Sequence, residues 1–223
     1  MLDVKQFETV IFDLDGPLLD GIERHYFCYS EILRNYGYKP IPIDQYWALK
    51  RDMLNRHELL RLSGANNIYN EFLDAWLVLI ESEQALALDK VQPGAIFFLE
   101  YLSRCGCELT LVTMRKNRSA LEKQLQEKGL RKFLKHVLVC DHSVGGTGKA
   151  DSVRSLLGET LNPDALLWIG DTEVDWEAGK SLGCKVILVA NGLRSETVLN
   201  SLGNITIVPS IASLDIHGGP DEP

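Results

Sequence analysis

Two acidic residues directly follow an apolar run near the start of the chain. The run Thr9-Val-Ile-Phe12 leads into Asp13-Leu-Asp15-Gly16. The β-branched and aromatic residues predict a buried strand, and open α/β sheets bind ligands at the carboxyl ends of such strands. One carboxylate at this position can attack as a nucleophile while the other transfers protons.

A second acidic group, Gly170-Asp171-Thr-Glu-Val-Asp175, follows another apolar run late in the chain. Because the carboxyl ends of neighbouring parallel strands converge, we expect Asp171 and Asp175 to lie near Asp13 and Asp15. Two carboxylates about 4 Å apart repel by about 4 kcal/mol at an effective dielectric constant of about 20, so the cluster needs a counter-ion. A hard divalent cation with oxygen ligands, Mg²⁺, meets that need. A helix start capped by Asp171 is the alternative interpretation.

Two further polar groups suit phosphoryl transfer. Thr113 ends an apolar strand and offers a hydroxyl donor, while Lys149 ends the loop Gly145-Gly-Thr-Gly-Lys149 and offers a fixed positive charge. This loop does not match a nucleotide-binding P-loop, because Ser143 and Ala150 stand where glycine and Ser or Thr are required.

Basic residues mark two possible anion sites. Arg115, Lys116 and Arg118 precede a predicted helix, whose positive end disfavours cations and favours an anion. The segment Tyr46-Trp-Ala-Leu-Lys50-Arg51 combines stacking surface with cations, which predicts a specificity element; a solvated helix with snorkelling basic side chains is the alternative. The side chains of this region expected to face a substrate are Arg24, His25, Tyr46, Trp47, Lys50, Arg51 and Arg56.

The elements that must position these residues follow two patterns. The region 21–88 lacks a convincing strand, and its periodicity predicts helices Ile22–Tyr36, Asp44–Leu62 and Asn67–Leu86. From Pro93 onward, helices alternate with short apolar strands. The predicted elements there are helices Gly94–Cys105, Ser119–Lys128, Ala150–Leu157 and Asp175–Leu182, and strands Glu108–Thr113, His136–Cys140, Ala165–Ile169 and Lys185–Val189.

This alternation predicts an α/β fold with a doubly wound, Rossmann-like parallel sheet and helices on both faces. The helical region reads as a small inserted cap domain. We therefore expect a core domain of residues 1–18 and 90–216, a helical cap of residues 19–89 and a flexible tail of residues 217–223.

The composition narrows the function classes. A chain of 223 residues with 45% hydrophobic residues can build a sizeable core, and its net charge of −8 argues against non-specific nucleic-acid binding. No apolar stretch approaches the ~20 residues of a membrane span, so we expect a cytoplasmic protein, monomeric or homodimeric, with no membrane partner. Its five cysteines are odd in number and irregularly spaced, and without a signal peptide we expect them to stay reduced. Neither Cys105-x-Cys107 nor Cys140-Asp-His142 has the spacing of a zinc finger or ribbon, so we do not expect a zinc site.

The four motifs, in this order, resemble those of the haloacid dehalogenase (HAD) superfamily of phosphatases with a helical cap, similar to phosphoglycolate phosphatases and β-phosphoglucomutases. They are Asp13-Leu-Asp15-Gly16, Thr113, Lys149 and Gly170-Asp171-Thr-Glu-Val-Asp175, and they span nearly the whole chain. The resemblance implies that Asp13 attacks phosphorus and that Asp15 protonates the leaving oxygen and later activates water. It also implies that Thr113 and Lys149 hold the phosphoryl group.

The same resemblance implies the ligands. Magnesium would be held by Asp13, the Asp15 backbone carbonyl and Asp171, with Asp175 in support. The expected substrate-binding residues are Thr113, Met114, Arg115 and Lys149, with Lys50 and Arg51 from the cap. Dehalogenases of the superfamily carry tyrosine at the position of Asp15 and phosphonatases alanine, so the aspartate favours phosphate esters.

The chain departs from the family pattern at two places. Pro17 stands where threonine or valine is usual, and the prolines that follow the motif-three lysine are absent, with Lys135 as a distant substitute for Lys149. We expect a magnesium-dependent phosphatase of a small phosphorylated metabolite such as phosphoglycolate, a sugar phosphate or a nucleotide monophosphate. A sugar phosphomutase and a non-catalytic binding or regulatory protein of the same fold are the alternatives.

Overall fold

The computed structural model of the chain describes residues 2–158, 161–214 and 216–217. Its centre is a six-stranded sheet in which all neighbouring strands are parallel, in the order β6, β5, β2, β7, β8, β9. The strands are β1 (Leu2–Asp3), β2 (Thr9–Phe12), β3 (Leu19–Asp20), β4 (Lys90–Val91), β5 (Glu108–Thr113), β6 (His136–Val139), β7 (Leu166–Gly170), β8 (Lys185–Val189), β9 (Thr206–Val208) and β10 (Ile216–His217).

Helices surround this sheet and build the region before β4. They are α1 (Ile22–Asn35), α2 (Ile43–Arg51), α3 (Arg56–Leu62), α4 (Tyr69–Leu79), α5 (Glu83–Leu86), α6 (Ala95–Arg104), α7 (Arg118–Glu127), α8 (Gly145–Leu157), α9 (Glu173–Leu182) and α10 (Glu196–Asn200). Short 3₁₀ turns lie at Val4–Gln6, Asn66–Ile68, Arg131–Phe133, His142–Val144, Pro163–Ala165 and Ile211–Ser213.

The two faces of the sheet bury separate hydrophobic clusters, because successive side chains of a strand point to opposite sides. In β2, Val10 and Phe12 join the cluster that contains residues of α6 and α7, while Ile11 joins the cluster that contains residues of α8 and α9. Helices therefore cover both faces. The predicted doubly wound α/β fold is confirmed.

The order of the strands locates the functional edge of the sheet. From β2 the chain builds outward on one side through β5 and β6, then returns to the other side of β2 and continues through β7, β8 and β9. In such a sheet, ligands bind beyond the carboxyl ends of the strands, where the winding reverses. The carboxyl end of β2, with Asp13, lies at that point.

The helical insertion has a hydrophobic cluster of its own. Helices α1 to α5 contribute to it, and its fully or nearly buried aromatic residues are Tyr29, Tyr46, Phe72 and Trp76. Strands β3 and β4 pair antiparallel at the two ends of the insertion, with Leu19 opposite Val91. The division of the chain at 18/19 and 89/90 stays a prediction.

Two long helices predicted in the insertion are each broken in the structure. The segment predicted as Asp44–Leu62 divides into α2 and α3, because Met53 adopts a positive φ of 62° and Asn55 caps the next helix through the Glu58 amide. The segment predicted as Asn67–Leu86 divides into α4 and α5, where Ser82 caps the second helix. No glycine announces the break at Met53, which is why periodicity alone missed it.

Helix α8 begins at Gly145, five residues before its predicted start at Ala150. The glycine-rich segment is therefore the first turn of a helix and not a loop. A Cβ atom at Gly146 would lie 2.5 Å from the Val174 carbonyl oxygen of α9, so glycine is needed for the close approach of these helices.

The edges of the fold add short strands that were not predicted. Strand β9 extends the sheet, and β1 pairs with β10, where Asp3 lies opposite His217. His217 was assigned to the tail, and residues 218–223 of that tail lie outside the described residues. Among the described residues, no helix is long and apolar enough to cross a bilayer.

The strained residue at the α2–α3 break gives a stability prediction. Because Met53 is 52% exposed and sits in the left-handed region, replacing it by glycine should raise the free energy of unfolding by about 0.5–1 kcal/mol. Urea unfolding of Met53→Gly against Met53→Ala, which keeps the strain, measures this difference. Equal stability of the two variants would show that the backbone at residue 53 is not strained.

Candidate active site

Three carboxylates meet at the carboxyl edge of the sheet. Asp13 follows β2 and Asp171 follows β7; the Asp13 amide donates to the Ile169 carbonyl at 2.9 Å, which keeps the two strand ends in register. Asp175 lies in the first turn of α9. Carboxylate oxygens of Asp13, Asp171 and Asp175 all lie within 4.8 Å of one another, and all three residues are buried.

Lys149 joins two of these carboxylates. Its Nζ donates to Asp13 Oδ1 at 3.0 Å and to Asp175 Oδ1 at 2.8 Å, from a position in the second turn of α8. Burial opposes its charge, but the two carboxylates outweigh burial and raise the pKa of Lys149 above its ordinary value. Lys135, the substitute considered for this role, instead pairs with Glu108 at the surface.

Asp175 fixes the loop that carries Asp171. Its Oδ2 accepts from the Asp171 and Thr172 amides at 3.2 Å and from Thr172 Oγ1 at 2.8 Å, while its Oδ1 also accepts from Trp168 Nε1 at 3.3 Å. Burial acts against its charge, yet Lys149 and these donors lower the pKa of Asp175. Both oxygens are therefore engaged by protein donors, which is the arrangement of a positioning residue.

Asp171 has an oxygen that the protein does not satisfy. Its Oδ2 accepts from the Leu193 amide at 2.5 Å, whereas Oδ1 is buried without a hydrogen-bond partner in the described part of the chain. Burial, followed by the charges of Asp175 and Asp13, raises the pKa of Asp171 well above its ordinary value. Gly192 packs so tightly against it that a Cβ there would lie 2.1 Å from Oδ2.

Asp13 is also affected by burial and by the neighbouring carboxylates. Burial raises its pKa to about 7, although Lys149 acts in the opposite direction. Asp13 and Asp171 are buried carboxylates, and Asp171 Oδ1 has no hydrogen-bond partner among the described residues. Hard cations prefer carboxylate oxygens as ligands, so these residues fit a magnesium ion.

The Asp15 side chain belongs to a second network, formed with two arginines. Arg24 Nη2 donates to its Oδ1 at 2.6 Å, and Arg115 donates to both of its oxygens at 2.7 and 2.9 Å. Burial favours the neutral acid, but Arg115 and Arg24 outweigh it and lower the pKa of Asp15 to about 2. The Asp15 side chain is therefore a firmly held carboxylate.

Asp89 completes this second network from a fully buried position. It accepts from Arg24 Nε at 2.7 Å, from Arg115 Nη2 at 3.1 Å and from Gln124 Nε2 at 2.8 Å. Since Arg24 lies on α1 of the insertion and Arg115 on the core, the pair Asp15 and Asp89 binds the two parts together. Asp89 could not be predicted from the sequence, because it lies outside the four motifs.

Two of the predicted substrate-binding residues lie at the end of β5. Thr113 is buried and belongs to the strand beside β2, and Met114 packs against the hydrophobic cluster of the α8–α9 face. Arg115, the third, points to Asp15. Pro17 is buried in the turn after Asp15, where the amides of its neighbours make the backbone hydrogen bonds.

The anion expected at the start of α7 is a protein side chain. The carboxylate of Glu81, between α4 and α5, accepts from the Lys116 amide at 2.9 and 3.0 Å and from the Asn117 amide at 2.7 Å. The positive end of this helix is thus neutralised by the insertion. Sequence reasoning inferred the anion but not its source.

The predicted cap residues differ in their engagement. Arg51 donates to the backbone carbonyls of Ala190 and Arg194, beyond β8, so its guanidinium binds the core. Lys50 is half-buried, with its Nζ 5.6 Å from the ring centre of Trp76. A small cleft separates the parts here, lined by Asp15, Gly16, Leu19, Asp20, Gly21, His25, Trp47, Gln92, Asn191, Gly192 and Leu193.

The buried network predicts a large loss of stability from a nearly isosteric change. Asp89→Asn leaves Arg24 and Arg115 with one carboxylate instead of two, so the free energy of unfolding should fall by about 3 kcal/mol. The control is Glu108→Gln, which removes the exposed pair with Lys135 and should cost less than about 1 kcal/mol. Denaturant unfolding compares them; equal losses would contradict a stabilising role for Asp89.

Comparisons with known proteins identify the family of the chain. Residues 10–189 match the family described as haloacid dehalogenase-like hydrolase. Phosphoglycolate phosphatase from Rhodobacter capsulatus is 25% identical over 87% of this chain and 89% of its own length. Phosphorylated carbohydrates phosphatase from Thermotoga maritima is 29% identical over 90% of this chain and 94% of its own.

Solved structures show the same fold. A predicted phosphoglycolate phosphatase from Haemophilus somnus superposes with a TM-score of 0.71 at 18% identity, over 93% of this chain and 96% of that one. A predicted phosphatase from Clostridium acetobutylicum gives 0.69 at 20% identity, over 92% and 94%. The family match covers most of the chain and includes all three clustered aspartates. The chain therefore belongs to the haloacid dehalogenase-like hydrolases and is a phosphatase enzyme of that family.

Proposed function

We propose that this enzyme is a magnesium-dependent phosphatase of a small phosphorylated metabolite, in the class of phosphoglycolate, sugar phosphates or nucleotide monophosphates, and that it works through a phosphoaspartate on Asp13. The observation that carries the proposal is the position of Asp13. Its carboxylate stands at the switch point of the sheet, beside the Lys149 ammonium and the unsatisfied oxygen of Asp171.

The first step uses the free side of Asp13. Its Oδ1 accepts a hydrogen bond from Lys149, whereas its Oδ2 accepts none from the described residues. Oδ2 is therefore the oxygen that bonds to phosphorus. As this bond forms, the bond from phosphorus to the ester oxygen breaks, and that oxygen leaves with a proton from Asp15. In the second step Asp15 takes a proton from water, which attacks phosphorus and releases Asp13 and inorganic phosphate.

Lys149 and Thr113 complete the phosphoryl site. The Lys149 charge acts against burial, which raises the pKa of Asp13 to about 7, and so favours the ionised form that attacks phosphorus. It also offsets negative charge on the transferring group. The Thr113 hydroxyl stands at the end of the neighbouring strand and serves as a donor to a phosphate oxygen.

A magnesium ion would be held by Asp13, the unsatisfied Oδ1 of Asp171 and the Asp15 backbone carbonyl. Asp175 would support it by fixing the Asp171 loop and Lys149. When bound, the ion supplies positive charge that lowers the pKa of the two buried carboxylates and stabilises the charge of the phosphoryl group.

Asp15 can carry protons only after its contacts change. Two arginines hold it as a carboxylate, and one of them, Arg24, belongs to the insertion. The cleft between the parts has space for little more than a water molecule. Movement of the cap, needed to admit a substrate, would therefore also withdraw Arg24 from Asp15.

Magnesium binding is testable without turnover. A hundredfold excess over Kd should stabilise the fold by about 2.7 kcal/mol, which raises Tm by about 5–10 °C for a chain of this size. Asp171→Asn should abolish this rise, and because it removes a buried charge it should not lower Tm in the absence of magnesium. A full magnesium shift in this variant would exclude Asp171 as a ligand; exposed Asp164→Asn is the control.

The nucleophile is tested by Asp13→Asn. This variant should lose at least about a thousandfold of the magnesium-dependent hydrolysis of p-nitrophenyl phosphate while keeping its fold. Asp164→Asn should keep wild-type turnover. Unchanged hydrolysis by Asp13→Asn would refute the role of Asp13, and wild-type protein inactive on a broad panel of phosphate esters would favour a binding or regulatory protein.

A phosphomutase would use the same residues and differ only in the acceptor of the phosphoryl group. Incubation with β-glucose 1-phosphate and a glucose bisphosphate primer distinguishes the two. Our proposal predicts release of inorganic phosphate. Accumulation of glucose 6-phosphate would contradict the proposal and identify the enzyme as a phosphomutase.

A further inference from the structure

We infer that Arg51 of helix α2 is a positioning residue for the proposed magnesium site. It acts through residues 190–195, the loop that follows β8, which is named here the β8 loop. The inference rests on the proposed function, since it concerns how tightly magnesium is held at Asp171. It implies that magnesium binds more tightly while α2 lies against the β8 loop.

The β8 loop holds the carboxylate of Asp171. The Leu193 amide donates to Asp171 Oδ2 at 2.5 Å, and a Cβ atom at Gly192 would lie 2.1 Å from the same oxygen. No other donor among the described residues bonds this carboxylate, and Asp171 Oδ1 is buried without a partner there. The direction of the unsatisfied oxygen, the proposed magnesium ligand, therefore depends on the β8 loop.

Helix α2 holds both ends of this loop. Arg51 Nη2 donates to the Ala190 carbonyl at one end of the loop and to the Arg194 carbonyl, 3.2 Å away, at the other. The Ser195 amide donates in return to the Arg51 carbonyl at 3.1 Å. Because one guanidinium group bonds both ends, it restrains the residues between them, which include the two that contact Asp171.

The charge of Arg51 has no carboxylate partner in the part of the chain that the structure describes. This half-buried guanidinium forms no ion pair there, and its hydrogen bonds go to backbone carbonyls. Hydrogen bonds from a charged donor are about twice as strong as those between neutral groups. The contact of Arg51 with the β8 loop is therefore strong enough to restrain the loop.

A second restraint holds the β8 loop from the core side. Arg194 donates to both carboxylate oxygens of Glu173 at 2.6 Å, and Glu173 lies in the first turn of α9. This ion pair does not involve the helical insertion. Loss of the Arg51 contact should therefore weaken the magnesium site without abolishing it.

Linkage joins magnesium binding to the position of α2. Movement of the insertion, which we propose admits the substrate, would break the hydrogen bonds of Arg51 and Ser195 and release both ends of the loop. A ligand favours the state that binds it more tightly, and the coupling is equal in both directions. Bound magnesium should therefore stabilise the contact between α2 and the β8 loop.

Calorimetric titration with magnesium, without substrate, tests the inference on the Arg51→Met variant. We expect the Kd for magnesium to rise about five- to tenfold. The sign is informative, because loss of a positive charge would by itself favour the binding of a cation. The control Arg61→Met removes an equal charge from α3, where Arg61 pairs with Glu58 at the surface, and should keep the Kd within about twofold of wild type.

A second pair of variants changes the contact without changing a charge. Ser195→Pro removes the amide that donates to Arg51, and the φ of −72° at Ser195 suits proline. Its control, Ser195→Ala, also loses the hydroxyl that caps α10 but keeps the amide. We expect magnesium to bind about two- to fivefold more weakly to Ser195→Pro than to Ser195→Ala.

Hydrogen exchange of the Ser195 amide tests the reverse direction. Saturating magnesium should slow exchange of this amide at least about fivefold in the wild-type protein and should leave it unchanged in Asp171→Asn. A purely structural role of Arg51 would lower the Tm of Arg51→Met, but it would produce neither the change in Kd nor this response to magnesium.

Three results would overturn the inference. They are unchanged or tighter magnesium binding by Arg51→Met, equal affinities of the two Ser195 variants, and exchange at Ser195 that magnesium does not slow in the wild type. Failure of the proposed function is distinguishable, because wild-type protein would then bind no magnesium, or would bind it no more tightly than Asp171→Asn does.

Discussion

The interaction on which the site depends is the contact of one buried ammonium with two buried carboxylates. The Lys149 Nζ lies between Asp13 and Asp175. Without it, three buried carboxylates would lie together with no positive charge from the described residues in contact with them. The fold creates this crowding, because the parallel strands β2 and β7 end side by side. The close contact of α8 with α9 at Gly146 then brings the lysine to the edge. The single positive charge of Lys149 cannot balance three carboxylates, and Lys149 donates to Asp13 and Asp175 but not to Asp171. The Oδ1 atom of Asp171 has no partner among the described residues, which supports the proposal of a magnesium site there.

A second charge network surrounds Asp15, which we propose as the proton carrier. Arg24 and Arg115 bind Asp15 and are themselves held by the fully buried Asp89. The pKa of Asp15 therefore depends on the contact between helix α1, which carries Arg24, and the segment after β5, which carries Arg115. Two neighbouring aspartates thus experience opposite environments. Burial dominates at Asp13 and raises its pKa to about 7, whereas arginines dominate at Asp15 and lower it to about 2. We propose that movement of the cap both admits the substrate and withdraws Arg24 from Asp15, so that Asp15 can then transfer protons.

Strand ends and the order of elements were predictable, because apolar runs and the alternation of helices and strands reflect burial directly. Strands β5 and β8 begin and end at the predicted residues. Asp13, Asp171 and Asp175 lie together, as expected for residues that follow the carboxyl ends of neighbouring parallel strands. What escaped prediction depends on contacts distant in sequence. Asp89 matters only because two arginines from different parts of the chain reach it, and Glu81 only because it meets the start of α7. The left-handed Met53 escaped because no glycine marks it.

The central claim is that the phosphoryl group passes through Asp13. The most direct test is to mix the wild-type enzyme with magnesium and a hydrolysed ester, quench in acid within a single turnover, and locate any covalent phosphoryl group by peptide mass spectrometry. Our account predicts a transient acyl phosphate on Asp13 that disappears as inorganic phosphate is released. A phosphoryl group on another residue, or complete turnover during which the Asp13 peptide is never modified, would contradict it.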